Sequence, residues 1–142
     1  MGKKRIIKKT GDKSALKSRS LARAPKKKMA SGILHVQSTY NNTKVALTDK
    51  EGNLFCASSC GALGFKGAKK GTPFAAAEVG KLIGEKAQMM GVRDVSVVVK
   101  GVGAGRESAI RGFLSGGSDL SGIKDVTPVP HNGPRPKKPR RV

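Results

Sequence analysis

Positive charge is segregated to the two ends of this chain, and that decides which part of it can build a core. Residues 1–31 hold 12 Lys and Arg against the single acid Asp12, including the run Lys26-Lys27-Lys28. Residues 128–142 hold five Lys and Arg, no acid and five prolines. Stretches with high charge and few large apolar groups cannot bury enough surface to offset the entropy of ordering, and proline also blocks helix and sheet. Residues 32–127 carry the other 12 basic residues and eight acids, a net charge of about +4. Three segments are therefore expected: a basic N-terminal extension over 1–31, an α/β domain over 32–127, and a basic Pro-rich tail over 128–142. Both tails are expected to be disordered in isolation.

The whole chain carries +20. A folded domain with that excess repels itself unless a polyanion neutralises it, with nucleic acid the first candidate and an anionic membrane surface the second. No apolar run approaches the roughly 20 residues of a membrane span. The basic start is not followed by the apolar stretch of a secretory leader. A cytoplasmic location without membrane attachment is expected. Cys56 and Cys60, with three residues between them and only His35 and His131 elsewhere, make a poor zinc set and read as half-buried, reduced thiols. No metal, cofactor or catalytic residue is expected.

The middle segment has legible periods. In residues 33–40, Leu34, Val36 and Tyr40 share one face, and His35, Gln37 and Thr39 the other; residues 43–48 alternate likewise. Asn41-Asn42 between them reads as a two-residue turn, since Asn tolerates the left-handed backbone of a tight hairpin. A third strand is expected around 54–57. Thr72-Pro73 caps a helix that carries Val79, Leu82, Ile83, Lys86, Ala87 and Met90 at helical spacing and stops at Gly91. The apolar run Val95–Val99 reads as a strand covered on both faces. A second helix is expected over 107–114 and a last strand over 123–127. The order β-β-β-α-β-α-β predicts an α/β three-layer sandwich with a mixed central sheet.

Two glycine-rich segments precede the helices. One is Lys100-Gly-Val-Gly-Ala-Gly-Arg106, with Arg111 one turn into the helix; the other is residues 60–71, with Lys66, Lys69 and Lys70. Free backbone N–H groups at a helix start favour anions. A dinucleotide fingerprint fails because Arg106 stands where the third glycine belongs, and no Gly-Lys-Ser/Thr ends the loop. What remains is a nucleic-acid backbone, a merely steric turn, or, as the rival from another class, a phosphate-loop nucleotide-binding enzyme. If the two helices run in the same direction, both loops open on one end of the sheet. Aromatic content is low, so stacking of single strands is not the mode. Tyr40 beside Asn41 and Asn42 is the one aromatic–amide cluster able to touch bases, although Tyr40 also suits a core position; Phe55, Phe65, Phe74 and Phe113 read as packing.

Four ordered motifs carry a resemblance: Tyr40-Asn41-Asn42-Thr43, the segments 64–76 and 100–111, and Asp125–Val142. Over residues 32–142 the chain resembles the universal small-subunit ribosomal protein numbered eleven, in its bacterial form. The resemblance implies a structural, non-enzymatic constituent of the small ribosomal subunit that binds rRNA on the platform. There it bridges several rRNA helices and helps form the cleft for the Shine–Dalgarno duplex of the mRNA. Implied neighbours are the subunit's proteins seven and eighteen, with initiation factor three as a further contact. Implied rRNA-binding residues are Tyr40, Asn41, Asn42, Lys66, Lys69, Lys70, Lys100, Arg106, Arg111, His131, Asn132, Arg135, Lys137, Lys138, Arg140 and Arg141. Val102 and Ala104 stand where the family usually has proline, so this turn is expected to be less rigid. Gly71 replaces a common Ser, leaving Thr72 as the cap, and Pro134 a common Cys. Asn132-Gly133 is chemically prone to isoaspartate formation, a change family members carry.

Overall fold

Alternation of period two builds the sheet, and the direction of its two crossovers decides how it is covered. The computed structural model describes residues 13–23 and 26–141. Strands β1 (Ser31–Ser38) and β2 (Thr43–Thr48) pair antiparallel, with Leu34 opposite Leu47 and Val36 opposite Val45. Strand β3 (Leu54–Ser59) adds antiparallel to β2. On the other side, β4 (Asp94–Lys100) runs parallel to β1, and β5 (Asp119–Asp125) parallel to β4. The five strands lie in the order β3-β2-β1-β4-β5.

Helix α1 (Lys13–Ala22) precedes the sheet, α2 (Pro73–Met90) joins β3 to β4, and α3 (Arg106–Leu114) joins β4 to β5. Both joining units step across the sheet in the same direction. Crossovers between parallel strands are right-handed, so steps in one direction lay both helices on one face. Burial agrees: Leu34, Val36, Val45, Leu47, Val95, Val97 and Val99 are buried under the helices, whereas His35, Gln37, Lys44, Ser96 and Lys100 are exposed. The expected three-layer sandwich is corrected to two layers. The apolar run Val95–Val99 misled because Val98 is half-buried on the open face and Ser96 exposed beside it.

The two helices approach closely because glycines face each other. A Cβ built on Gly80 would lie 2.2 Å from the Ala109 carbonyl oxygen, and one on Gly112 would lie 2.4 Å from that of Ala77. Only residues without a side chain allow helix backbones this near. Helix α2 therefore buries two stripes: Val79, Leu82, Ile83, Ala87 and Met90 in the core and its glycines against α3. Its ends follow the sequence. Thr72 Oγ1 accepts from the Ala75 amide, Pro73 takes the first position, and Gly91 closes it at φ 77°.

Other boundaries shift. The hairpin turns on Tyr40-Asn41 rather than Asn41-Asn42: the Thr39 amide donates to the Asn42 carbonyl, and Asn42 N–H donates to Thr39 Oγ1. Neither Asn41 nor Asn42 uses a left-handed backbone, which among non-glycine described residues belongs to Asn132 alone, at φ 53°. Strand β5 begins at Asp119, earlier than expected, because Ser121 and Gly122 hide an edge strand whose residues are all exposed. The N-terminal extension is not wholly unstructured. Leu16, Lys17, Ser20 and Leu21 of α1 form a half-buried stripe, Leu21 packs on the core, and Lys17 Nζ pairs with Glu85 at 2.9 Å. The rest of the expected basic extension, residues 1–12, 24 and 25, lies outside the described residues. Pro128–Arg141 adds no helix or strand and is exposed along its length.

Candidate RNA-backbone interface

Parallel β1 and β4 end together, so the segments that follow them meet at one end of the sheet. Backbone packs on backbone there. A Cβ on Gly101 would lie 2.1 Å from the Ser38 carbonyl oxygen, one on Gly103 2.2 Å from that of Thr39, and one on Gly71 2.4 Å from that of Tyr40. Hairpin 39–42 is thus wedged between the two glycine-rich loops. As anticipated, both loops open on the same sheet end. The short 3₁₀ turn Gly67–Gly71 presents Lys69 exposed and Lys70 half-buried, and Lys66 before it is exposed. Lys100 is exposed at the end of β4, on the open sheet face beside Gln37 and Lys44. Tyr40 is 79% exposed, which removes the core reading and leaves its ring on the surface between the loops. Asn41 is exposed, but Asn42 is half-buried and its Oδ1 is buried without a hydrogen-bond partner among the described residues.

The 101–105 turn does not behave as a free phosphate nest. Its Gly103 amide donates to the Ser38 carbonyl at 3.0 Å, and its Gly101 amide to Thr127 Oγ1 at 3.2 Å. The steric reading of these glycines accounts for their positions, since hairpin backbone and the Thr43 hydroxyl occupy the space beside them. A bound nucleotide phosphate would have to displace that backbone.

Arg106 is likewise committed inward. Its guanidinium donates to the Gly101 carbonyl at 2.6 Å and to Asp125 Oδ2 at 2.5 Å, and reaches Thr127 Oγ1 at 3.5 Å. It clamps the turn to the point where the C-terminal tail leaves the sheet. The Thr127 hydroxyl, then the Arg106 guanidinium and the Thr127 amide, hold the Asp125 carboxyl below the usual carboxylate range. With the folded value depressed, this contribution is complete above the ordinary carboxylate pKa and disappears only as pH falls through the lowered one. We expect Arg106→Gln to lower stability by about 1 to 2 kcal/mol, since a hydrogen-bonded but partly exposed charge is lost. The same change should leave the salt slope of RNA binding unaltered, whereas Lys70→Gln should reduce it by about one. Melting curves and a salt titration of each variant check this.

The remaining predicted residues fall into two groups. Arg111 is exposed on α3 and pairs with Glu107 one turn earlier. His131, Asn132, Arg135, Lys137, Lys138, Arg140 and Arg141 are exposed on the tail, which leaves from the loop end through Thr127. The structure does not bring these tail residues together with the loop lysines into one pocket. What they share with the loop lysines is the point of departure, since the tail leaves the domain at the loop end. Acids are distributed oppositely: Asp49, Glu51, Asp94 and Asp119 lie at the far end, accompanied by Lys50 and Arg93. At the loop end, Asp125 and Glu107 are both held by arginine.

Phe65 and Phe113 are buried, as expected of packing residues, but Phe74 is 66% exposed and meets Phe65 edge-on at 6.2 Å between centroids. Cys56 and Cys60 are free and buried, and burial pushes the Cys56 thiol up to about 11, opposed by nearby Lys86. Sequence reasoning passed over Lys44 and Lys124, although the alternation of their strands puts them on the polar face with Lys100. Among the described residues there is no His/Cys/Asp/Glu group able to hold a metal, and no helix long and apolar enough to cross a membrane.

A two-layer α/β domain with a lysine-bearing rim, four of its acids at the far end and a cationic tail leaving from that rim, belongs to the class of proteins that grip a nucleic-acid backbone. The family model for ribosomal protein S11 matches residues 32–141, more than half of the chain, and the chain belongs to that family. It is a structural protein of the small ribosomal subunit that binds rRNA, of a family not known as an enzyme.

Proposed function

We propose that the loop end and the C-terminal tail are the principal rRNA contact, and that they hold the protein on the platform of a bacterial small subunit in the cytoplasm. The observation that carries this is the convergence of hairpin 39–42, the 66–71 turn and the tail exit at one sheet end, away from four of the domain's acids. Lys66, Lys69, Lys70 and Lys100 seat phosphates, with Arg111 contributing when Glu107 releases it. Exposed Tyr40 and Asn41 reach bases or sugars between them. His131, Asn132, Arg135, Lys137, Lys138, Arg140 and Arg141 track phosphate along the tail, which threads between RNA helices. Arg106 serves this surface indirectly, by fixing the turn and the tail exit. On the resemblance described above, the same surface borders the Shine–Dalgarno cleft and its mRNA, with proteins seven and eighteen and initiation factor three as neighbours.

Each neutralised phosphate releases counterions, so log affinity should fall linearly with log salt at a slope of about ten. Titration of binding to small-subunit rRNA, with unrelated duplex as competitor, tests the reading. A steep slope and a preference for the cognate junction are the expected result. A nearly flat slope, or equal competition by any duplex, overturns it.

A further inference from the structure

Lys86 is a cation in the wrong place. It sits on the apolar stripe of α2 between Ile83 and Ala87, is 5% exposed, and makes no hydrogen bond or ion pair among the described residues. Its neighbour Glu85 is already taken by Lys17. Its Nζ is not one of the buried polar atoms left without a partner, so the buried stem carries the ammonium to the accessible space of a pocket, and packing of the stem alone needs no charge at its tip. The side chain lines a pocket of about 560 Å³ between α1 and β3, whose mouth carries Arg19 and Arg23 and whose walls include Leu16, Leu54 and Phe55. No acid lines it. Lys27 adds a further cation at one wall, 5.5 Å over the Phe55 ring.

We propose that this pocket is a second anion site, which takes one nucleotide of the rRNA with its phosphate on Lys86, Arg19 and Arg23 and its sugar or base against the apolar walls. The inference rests on the reading of the chain as rRNA-binding. Guanidinium forks match phosphate oxygens, and the volume is that of an organic ligand rather than a lone ion. The site is separate from the loop end. Lys86 lies 13 residues beyond Pro73 on the same helix, about 20 Å along its axis at 1.5 Å per residue. Leu54 begins β3 at the sheet end opposite the hairpin. An RNA strand held here is therefore a different one from that on the rim, or a distant part of the same one.

The test compares the full-length protein with Lys86→Met and with the double variant Arg19→Gln/Arg23→Gln, whose changes fall at exposed positions on α1 and just past its end. Binding to small-subunit rRNA is measured across salt concentrations, with nucleotide footprints. Lys86→Met should weaken binding about five- to tenfold near 0.15 M salt and lower the salt slope by about one; the double variant should lower the slope by about two. The melting temperature of free Lys86→Met should stay level or rise, because an apolar isostere replaces an unpaired charge. Protections lost in either variant should differ from those lost in Lys69→Gln/Lys70→Gln. Unchanged affinity and slope in both variants overturns the site, as does loss of the same protections as the loop variant. Loss of binding to an acidic protein in place of RNA also overturns it. If the unaltered protein fails to bind the rRNA in the same titration, the proposed function itself falls and takes this site with it.

Discussion

Deleting residues 128–142 should lower rRNA affinity about a thousandfold near 0.15 M salt while leaving the domain folded. The deleted segment carries Arg135, Lys137, Lys138, Arg140 and Arg141, and its described residues, 128–141, are exposed and contribute no strand or helix. Its removal spares Thr127, so the bonds from Gly101 and Arg106 that close the sheet end persist. Five cations lost at about 0.9 in slope each should reduce the salt dependence by four to five. The melting temperature should stay within about two degrees, because a solvated segment buries little on folding. Filter binding across a salt series, beside a melting curve, measures both. Undiminished affinity would show that the tail does not hold RNA, and a large drop in melting temperature would show that it packs on the domain.

The second large effect concerns folding. Gly80→Ala should destabilise the protein by about 2 to 3 kcal/mol, despite the gain of about 1 kcal/mol in helix propensity. The added methyl would meet the Ala109 carbonyl oxygen at 2.2 Å and the Phe113 nitrogen at 2.9 Å. Both atoms belong to the backbone of α3, so no rotamer change relieves the clash, and α3 must move off its partner. That movement would disturb Phe113, which is fully buried. Gly122→Ala on the exposed edge strand, where nothing lies within 4 Å, is the control and should change stability by less than about 0.5 kcal/mol. Urea unfolding of the two variants gives the comparison. Equal midpoints would mean that the helices do not cross where the glycines place them.

Much of the architecture was legible because it is written in local periods. The strands from Leu34 and Val45, the Thr72-Pro73 start and the Gly91 stop all lie in short windows where alternation or a cap is decisive. β5 was less legible, since an exposed edge strand with Ser121 and Gly122 has no apolar period to display. Helix α1 was hidden by its charge. Its stripe of Leu16, Lys17, Ser20 and Leu21 gains meaning only against α2 and the core. The number of layers was misread for a related reason. Four valines in five positions do not say which of two faces a neighbour covers, whereas the handedness of two crossovers in one direction does.

The candidate interface divides in the same way. Sequence alone located the lysine-bearing loops, the cationic tail and the charge partition that left one segment able to fold, because charge, glycine and proline act where they stand. Tertiary structure decided which of those groups are available. It turned Arg106 inward onto Gly101 and Asp125, used the Gly103 amide on the Ser38 carbonyl and the Gly101 amide on the Thr127 hydroxyl, and set four acids at the far end from the loop lysines. It also brought Lys86 to one pocket with Arg19 and Arg23, more than sixty positions away along the chain. The reason is physical: a partner distant along the chain exists only once the backbone has folded back, and no local period records it.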